Sequence, residues 1–398
     1  MVDLWANIRK KFPGLESGTY LDTACHGLTA TPTAEAVNKK FMDVMRFAPH
    51  SNGTEDTIIL RESLDFARTE LSKLLRSDPE EIALVENSTT ALETLINIFG
   101  INEDEEILFC DLEFFGLVTP WRRTMGKKTF FPNSGGAFSV GDIGNFFTPR
   151  TKFLVLSGVQ EITGFKAPLE KISELCREND VTLFVDATQL VGSQAFFPGE
   201  IGLDFVFSSG FKWLNSPFGM GFLWIGKENL NSFSSCRWGY FNLQEPSEGW
   251  DKYLADPAKN ADFRGDPVSG ASRFENGGTN NYGAAFALGT SVGMLNQIGI
   301  EKIHRRNQKL NQLLLSALNT TELTPYDFPE ENQSSLTVAS YREIKKTQAL
   351  YQDLVKKKIK VSLRYSAGQG GLRIAPHFYN NEEDIAQFIE GVKNFEGN

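Results

Sequence analysis

The sequence predicts an α/β protein built on a doubly wound, mostly parallel sheet. Three observations carry that reading. Val181-Thr-Leu-Phe-Val185 is apolar on both faces and bounded by Asp180 and Asp186, as a strand covered on both sides must be. Between residues 82 and 225, short apolar runs alternate with helical stretches, the pattern of strand–helix crossovers. The runs end in polar turns: one at Asp186, the next (Leu203 to Phe207) in Ser208-Ser-Gly-Phe-Lys212, ahead of a third run at Gly221 to Ile225.

Ligands of open α/β sheets bind beyond the carboxyl ends of the strands, so Asp186 and Lys212 are expected to face one crevice. A carboxylate and a lysine there suit pyridoxal 5'-phosphate (PLP). The amine forms a Schiff base with the aldehyde, and the carboxylate pairs with the protonated ring nitrogen. Gln189, three residues after Asp186, is spaced to reach the ring hydroxyl, and Ser209, three before Lys212, the phosphate. Either residue alone reads as a solvated lysine or a turn aspartate. Both together, each closing a buried run, do not.

Composition narrows the rest. The 398 residues suffice for two domains with sizeable cores, and 41% apolar with 23% charged residues is ordinary globular usage. A net charge of −10 argues against a nucleic-acid partner. Cys25, Cys110, Cys176 and Cys236 are scattered without a Cys-x-x-Cys pair, which points to free thiols and a cytoplasmic location. The opening residues lack the apolar core of a signal peptide and no run reaches membrane-spanning length, so no membrane association is expected.

Taken in order, a short amphipathic start leads to Tyr20-Leu-Asp-Thr-Ala-Cys-His26-Gly. Leu64, Ala67, Leu71 and Leu74 predict a helix over 61–76, with His50 in the polar loop before it. Ile82–Val85 reads as a strand, followed by Glu86-Asn-Ser-Thr89-Thr90 and a helix over 91–99; hydroxyls there either cap the helix or help its N–H groups hold an anion. Glu106–Cys110 is a strand running into Asp111-Leu-Glu-Phe114-Phe115, where an aromatic ring serves for core packing or for stacking on a cofactor. Phe153–Leu156 is a strand leading into Ser157-Gly-Val-Gln160-Glu161, and Pro168 opens a helix to about Asn179. Residues 232–281 show no periodicity, the mark of a functional or mobile segment. Helices over 285–295, 301–318 and 343–358, strands over 336–340, 361–364 and 372–375, and a last helix complete the chain.

Asp186-Ala-Thr-Gln189, Ser209-Gly-Phe-Lys212 and Pro217-Phe-Gly-Met-Gly221 resemble the signature of the class V aminotransferase family. That PLP-dependent group includes cysteine desulfurases, cystine lyases, isopenicillin N epimerases and kynureninases. The resemblance extends over nearly the whole chain and implies the aspartate-aminotransferase (fold type I) architecture. A large PLP-binding domain is then expected over 26–284, and a small α+β domain over 1–25 and 285–398. It further implies that Thr89 and Thr90 hold the cofactor phosphate and that Phe114 stacks on the ring. Arg273-Phe-Glu…Gly-Thr279 looks like the family motif whose threonine reaches the phosphate of the neighbouring subunit, so each site of a homodimer is expected to need both chains. Leu-Arg373-Ile-x-Pro-His-x-Tyr-Asn resembles the motif whose arginine takes the substrate α-carboxylate, a two-pronged pair lysine does not reproduce. His26, His50, Gln160 and Glu161 stand where the resemblance places substrate contacts.

What the resemblance implies for the chemistry is less uniform. Lys212, once displaced by an amino acid, removes the Cα proton, and Asp186 keeps the ring nitrogen protonated. Desulfurases carry a nucleophilic cysteine on the loop before the arginine; here that loop, Ser366 to Gly371, has none, and Phe211 and Phe114 replace two desulfurase histidines. Lys11-Phe-Pro-Gly-Leu15 and Leu-Arg364 look like the cystine lyase pattern, which favours a lyase acting at a C–S or related β-substituent. An epimerase (with His26 or His50 as second acid/base), an aminotransferase and a kynureninase-like hydrolase with Trp238 and Tyr240 lining an aryl pocket stay open. A non-catalytic scaffold is disfavoured, because packing requires none of Lys212, Asp186 and Arg373.

Overall fold

The computed structural model describes residues 3–46, 53–234, 237–260 and 262–397. Its larger sheet has seven strands: β1 (Ile82–Val85), β2 (Glu106–Cys110), β3 (Lys127–Phe131), β4 (Thr151–Ser157), β5 (Thr182–Asp186), β6 (Phe205–Ser209) and β7 (Gly221–Ile225). Their spatial order is β1-β7-β6-β5-β4-β2-β3, with β7 antiparallel to both neighbours and every other pairing parallel. Two apolar clusters cover its two faces. Leu183, Val185 and Val206 point into one and Phe184, Phe205 and Phe207 into the other, the two-residue alternation of a strand buried on both sides.

Strand β3 is not announced by the sequence. It is an edge strand in which only Phe131 is buried, so its apolar signal is thin. The same reason hides helix α1 (Thr31–Val44), which leaves Phe41 and Met42 exposed instead of showing a core-facing stripe. Helix α2 (Gly53–Leu75) runs longer than the predicted 61–76, and α3 (Ser88–Phe99) starts three residues before the predicted 91. Helix α4 (Leu169–Glu178) returns the chain between β4 and β5.

Helix α5 (Tyr282–Ile298) is apolar almost all round and packs against α2, where a Cβ on Gly289 would stand 3.1 Å from the Cα of Ala67. After α6 (Ile300–Leu318), four strands form a second, antiparallel sheet: β8 (Thr324–Pro325), β9 (Thr337–Ser340), β10 (Ser362–Ser366) and β11 (Gln369–Ile374), in the order β10-β11-β9-β8. Helices α7 (Ile344–Lys356) and α8 (Glu382–Glu396) pack over its core of Leu350, Leu354, Leu372 and Phe388.

The N-terminal segment joins the two sheets' surroundings. Thr19–Tyr20 pair in parallel with Ile359–Lys360, and Asp22 bridges to Ala375. The chain then crosses the Lys212 turn, where Gly27 N–H donates to Phe211 O at 2.8 Å. A Cβ on Gly27 would collide with the carbonyl oxygen of Lys212, so glycine sets this close approach. No helix among the described residues is long and apolar enough to cross a membrane.

Candidate active site

The carboxyl ends of β1, β2, β4, β5 and β6 open on one side of the sheet. Register puts Ser157 beside Asp186 and Asp186 beside Phe207, two residues before Ser209 closes β6. Beyond these ends lies a cavity of about 460 Å³ whose wall includes Lys212, Asp186, Ser209 and Arg373. Asp186 and Lys212 thus face one cleft, as the strand ends required.

Lys212 is half-buried, and its Nζ forms no hydrogen bond among the described residues; it lies 5.9 Å from the centre of the Phe211 ring. Burial pushes the amine pKa down, the Arg373 cation adds to that, and the Glu161 and Asp186 carboxylates oppose it. Asp186 Oδ1 accepts from the N–H of Thr188 at 2.8 Å, and burial pushes its carboxyl up against the pull of that bond and of Lys212. Trp213 fixes the Lys212 turn. Its indole N–H donates to Gln189 Oε1 at 2.8 Å, and its carbonyl lies 3.0 Å from His377 Nε2. Gln189 lines the cavity, but its Nε2 already donates to Ala24 O at 2.9 Å. One amide proton is left for any ligand.

At the start of α3, Asn87 is the cap, accepting from Thr90 N–H at 3.0 Å. Thr90 therefore turns back toward Asn87 and does not line the cavity; Ser88 and Thr89 do. The predicted hydroxyl pair is displaced by one residue, because the cap takes the position the sequence left to the threonines. Ser88 N–H donates to Ser209 Oγ at 3.0 Å, and the two serine hydroxyls lie 3.2 Å apart. These hydroxyls meet at the N-terminus of a twelve-residue helix, a ready anion seat. Phe114 lines the cavity with 42% of its surface open, which leaves a ring face free.

Gln160 does not belong to the cavity. It is fully buried and donates from Nε2 to Glu113 Oε1 at 2.6 Å. Its neighbour Glu161 is the residue that faces in, and its Oε2 takes Arg373 Nη1 at 2.8 Å. Arg373 is 1% exposed, with Asp22 at 3.7 Å from Nη2 and an Nε that has no hydrogen-bond partner among the described residues. Beneath them, Glu113 accepts from the N–H and hydroxyl of Ser157 as well as from Gln160, and burial raises its pKa to about 7.

His26 also lies off the cavity, its ring stacked on Phe218 at 5.1 Å while Ala24 and Cys25 line the wall. Cys25 was available to sequence reasoning only as one of four thiols; its place follows from the long-range pairing of the N-terminal segment. His50 lies outside the described residues. Thr279 is exposed and lines no part of this cavity in its own chain. Arg364 is a further wall residue.

The family model described as Aminotransferase class-V matches residues 19–388. The chain belongs to that family. It is a PLP-dependent enzyme with the fold type I architecture. Isopenicillin N epimerase of Streptomyces clavuligerus is 27% identical over 88% of this chain and 90% of its own. Two solved structures share the fold. A cystine C–S lyase in complex with its reaction product cysteine persulfide has a TM-score of 0.83 at 21% identity, covering 96% of this chain and 99% of the other. Apo cysteine desulfurase from Thermococcus onnurineus NA1 has a TM-score of 0.81 at 20% identity, covering 98% of each. The donor set fits the family's cofactor: an amine without a hydrogen-bond partner among the described residues, a half-buried carboxylate, an open aromatic face and a hydroxyl-lined helix N-terminus share one cavity.

Proposed function

We propose that this protein is a lyase that removes a β-substituent, such as a sulfur group, from an α-amino acid. The observation that carries the reading is the cavity itself, which joins Lys212, Asp186 and Arg373 while Phe114 and Phe211 occupy its aromatic positions. In this reading Ser88, Thr89 and Ser209 hold the cofactor phosphate, Asp186 pairs with the ring nitrogen, and Phe114 covers the ring. PLP, when bound, supplies the sink for the charge left on Cα.

Lys212 takes and returns the Cα proton, for which burial lowers its pKa in the useful direction. Arg373 holds the substrate carboxylate after Glu161 yields its place. No histidine lines the cavity among the described residues, which favours departure of the β-substituent over steps needing an imidazole. Epimerisation is the second reading, favoured by the 27% identical epimerase; it needs a second proton donor on the wall, where the described titratable groups besides Lys212, Asp186 and the two arginines are Cys25 and Glu161.

The exposed Thr279, outside its own chain's cavity, supports a homodimer with shared sites, and the three described cysteines, all free thiols, support a cytoplasmic location. The test is the visible spectrum of the purified holoenzyme followed by a panel of amino acids. A Schiff-base band lost in Lys212→Ala, with a keto acid and ammonia from a sulfur amino acid, is the expected result. An inverted stereocentre without keto acid selects the epimerase instead, and a colourless protein that ignores added PLP rejects the site assignment.

A further inference from the structure

The turn between β4 and α4 and the segment after β5 each border two cavities. Val159 and Lys166 bridge across the first turn; Val159 and Glu161 line the cavity of Lys212, and Lys166 lines another of about 590 Å³. In the second segment Asp186 and Gln189 line the former, Leu190 and Gln194 the latter, and no wall residue is common to both. A cavity of that size suits a small organic ligand. Its wall is largely apolar, with Phe138, Leu190, Phe196 and Ile201 in it, but two polar groups there lack partners. Gln194 is 4% exposed, and its Nε2 has no hydrogen-bond partner among the described residues, a costly state for a buried donor. Lys166 is half-buried, and its Nζ forms no hydrogen bond or ion pair among them. Its backbone is fixed on both sides by Asn332, at 2.8 Å from the N–H and 2.9 Å from the carbonyl. Both residues also line a small polar chamber of about 70 Å³, which places them together at one end of the larger cavity. Helix α4 begins in the same wall with no side-chain cap, so its positive end adds to theirs.

We propose that this cavity is a second ligand site, for a small monocarboxylate with an aryl or branched aliphatic body. The carboxylate meets the Lys166 ammonium and the Gln194 amide, the two donors without partners, and the carbon skeleton lies among Phe138, Leu190, Phe196 and Ile201. Glu170, Glu200 and Glu331 are wall residues exposed to solvent. They repel a dianion such as phosphate more strongly than a monoanion with an apolar body. An amine pairs with those carboxylates and leaves both inner donors unmatched. Burial pulls the Lys166 amine pKa down and Glu331 opposes it; a bound carboxylate supplies the close counter-charge that the chain does not. Nothing in this recognition depends on the lyase reading.

Isothermal titration of the holoenzyme with phenylacetate and isovalerate tests it, with benzyl alcohol, phenethylamine and inorganic phosphate for comparison. The expected result is saturable binding of a carboxylate probe that Lys166→Met and Gln194→Leu each weaken about tenfold, roughly the value of one hydrogen bond to a charged group. Arg373→Lys should leave that binding unchanged, and the three comparison probes should bind about tenfold more weakly. The visible cofactor band and thermal midpoint of each variant report that it folds. Failure of both carboxylates to saturate the holoenzyme overturns the proposal. So does binding that Arg373→Lys weakens and Lys166→Met does not, which puts the carboxylate in the cofactor cavity. Phosphate, benzyl alcohol or phenethylamine bound as tightly as phenylacetate rejects the monocarboxylate.

Discussion

If Arg373 holds the substrate carboxylate as proposed, Glu161 decides how a substrate meets it. In the structure its carboxylate lies 2.8 Å from Nη1, where on that proposal the amino-acid carboxylate binds. Substrate binding must therefore break a charge-assisted bond between groups that are almost wholly shielded from water. Glu161→Gln removes that competitor and is expected to lower KM by about tenfold, roughly the value of one net charged hydrogen bond. Steady-state kinetics check it; a raised KM shows instead that Glu161 aligns the arginine. Arg373→Lys keeps the charge and loses the fork, so kcat/KM is expected to fall about 10- to 100-fold. Sequence reading reached Arg373 and held both Gln160 and Glu161 as candidate substrate contacts. Along an irregular loop nothing in the residue order says which of two adjacent polar side chains turns inward; the hydrogen bond to buried Glu113 decides it.

At the scale of elements, two buried titratable groups fasten separate pieces of chain, His377 at the Lys212 turn and Glu113 at the Ser157–Gln160 loop. His377 faces the Trp213 carbonyl through Nε2 and Asn307 of α6 through Nδ1, at 3.0 and 3.1 Å. A carbonyl requires Nε2 to donate and an amide N–H requires Nδ1 to accept, so the ring is held neutral. Burial accordingly drops its pKa from 6.5 to about 3. The unfolded chain binds the extra proton between those values. The stability His377 supplies is therefore complete above pH 6.5 and drains away as pH falls toward about 3, by up to about 1.4 kcal/mol per pH unit. Urea midpoints of His377→Phe should be lower than wild type near neutral pH and flatter across that window.

Glu113 has the opposite sign. Its pKa rises from 4.5 to about 7, so the folded state binds more protons there and its contribution declines as pH climbs through that range. Glu113→Gln, compared in the same urea titrations, should remove the decline; an unchanged slope would falsify the assignment. Most elements around these groups were legible beforehand. β2 and β7 match the predicted ranges residue for residue, because strands covered on both faces carry a dense apolar signal. Edge strand β3 and exposed α1 were not legible, for want of that signal.

For the whole molecule, the proposal to be tested is that two chains share their sites. If Thr279 serves a neighbour's cofactor phosphate, Thr279→Trp alone should lose PLP affinity and Lys212→Ala alone should be inactive. Co-refolding the two should restore activity, since the mixed dimer holds one site with an intact lysine and an intact threonine. No recovery, with dimers verified by light scattering, would place Thr279 outside the site.

The sequence by itself determined the α/β class, the lysine, the two carboxyl-end residues that face it and the arginine of the second sheet. Each of these sits on or beside a strand, where local apolar pattern fixes position. Tertiary structure decided which neighbours join them. Asn87 displaced the hydroxyl pair by one, Glu113 withdrew Gln160 and admitted Glu161, and the pairing of Thr19–Tyr20 with Ile359–Lys360 carried Cys25 rather than His26 to the cavity wall. Those outcomes depend on contacts between residues far apart in the chain, and spacing along it holds no record of them.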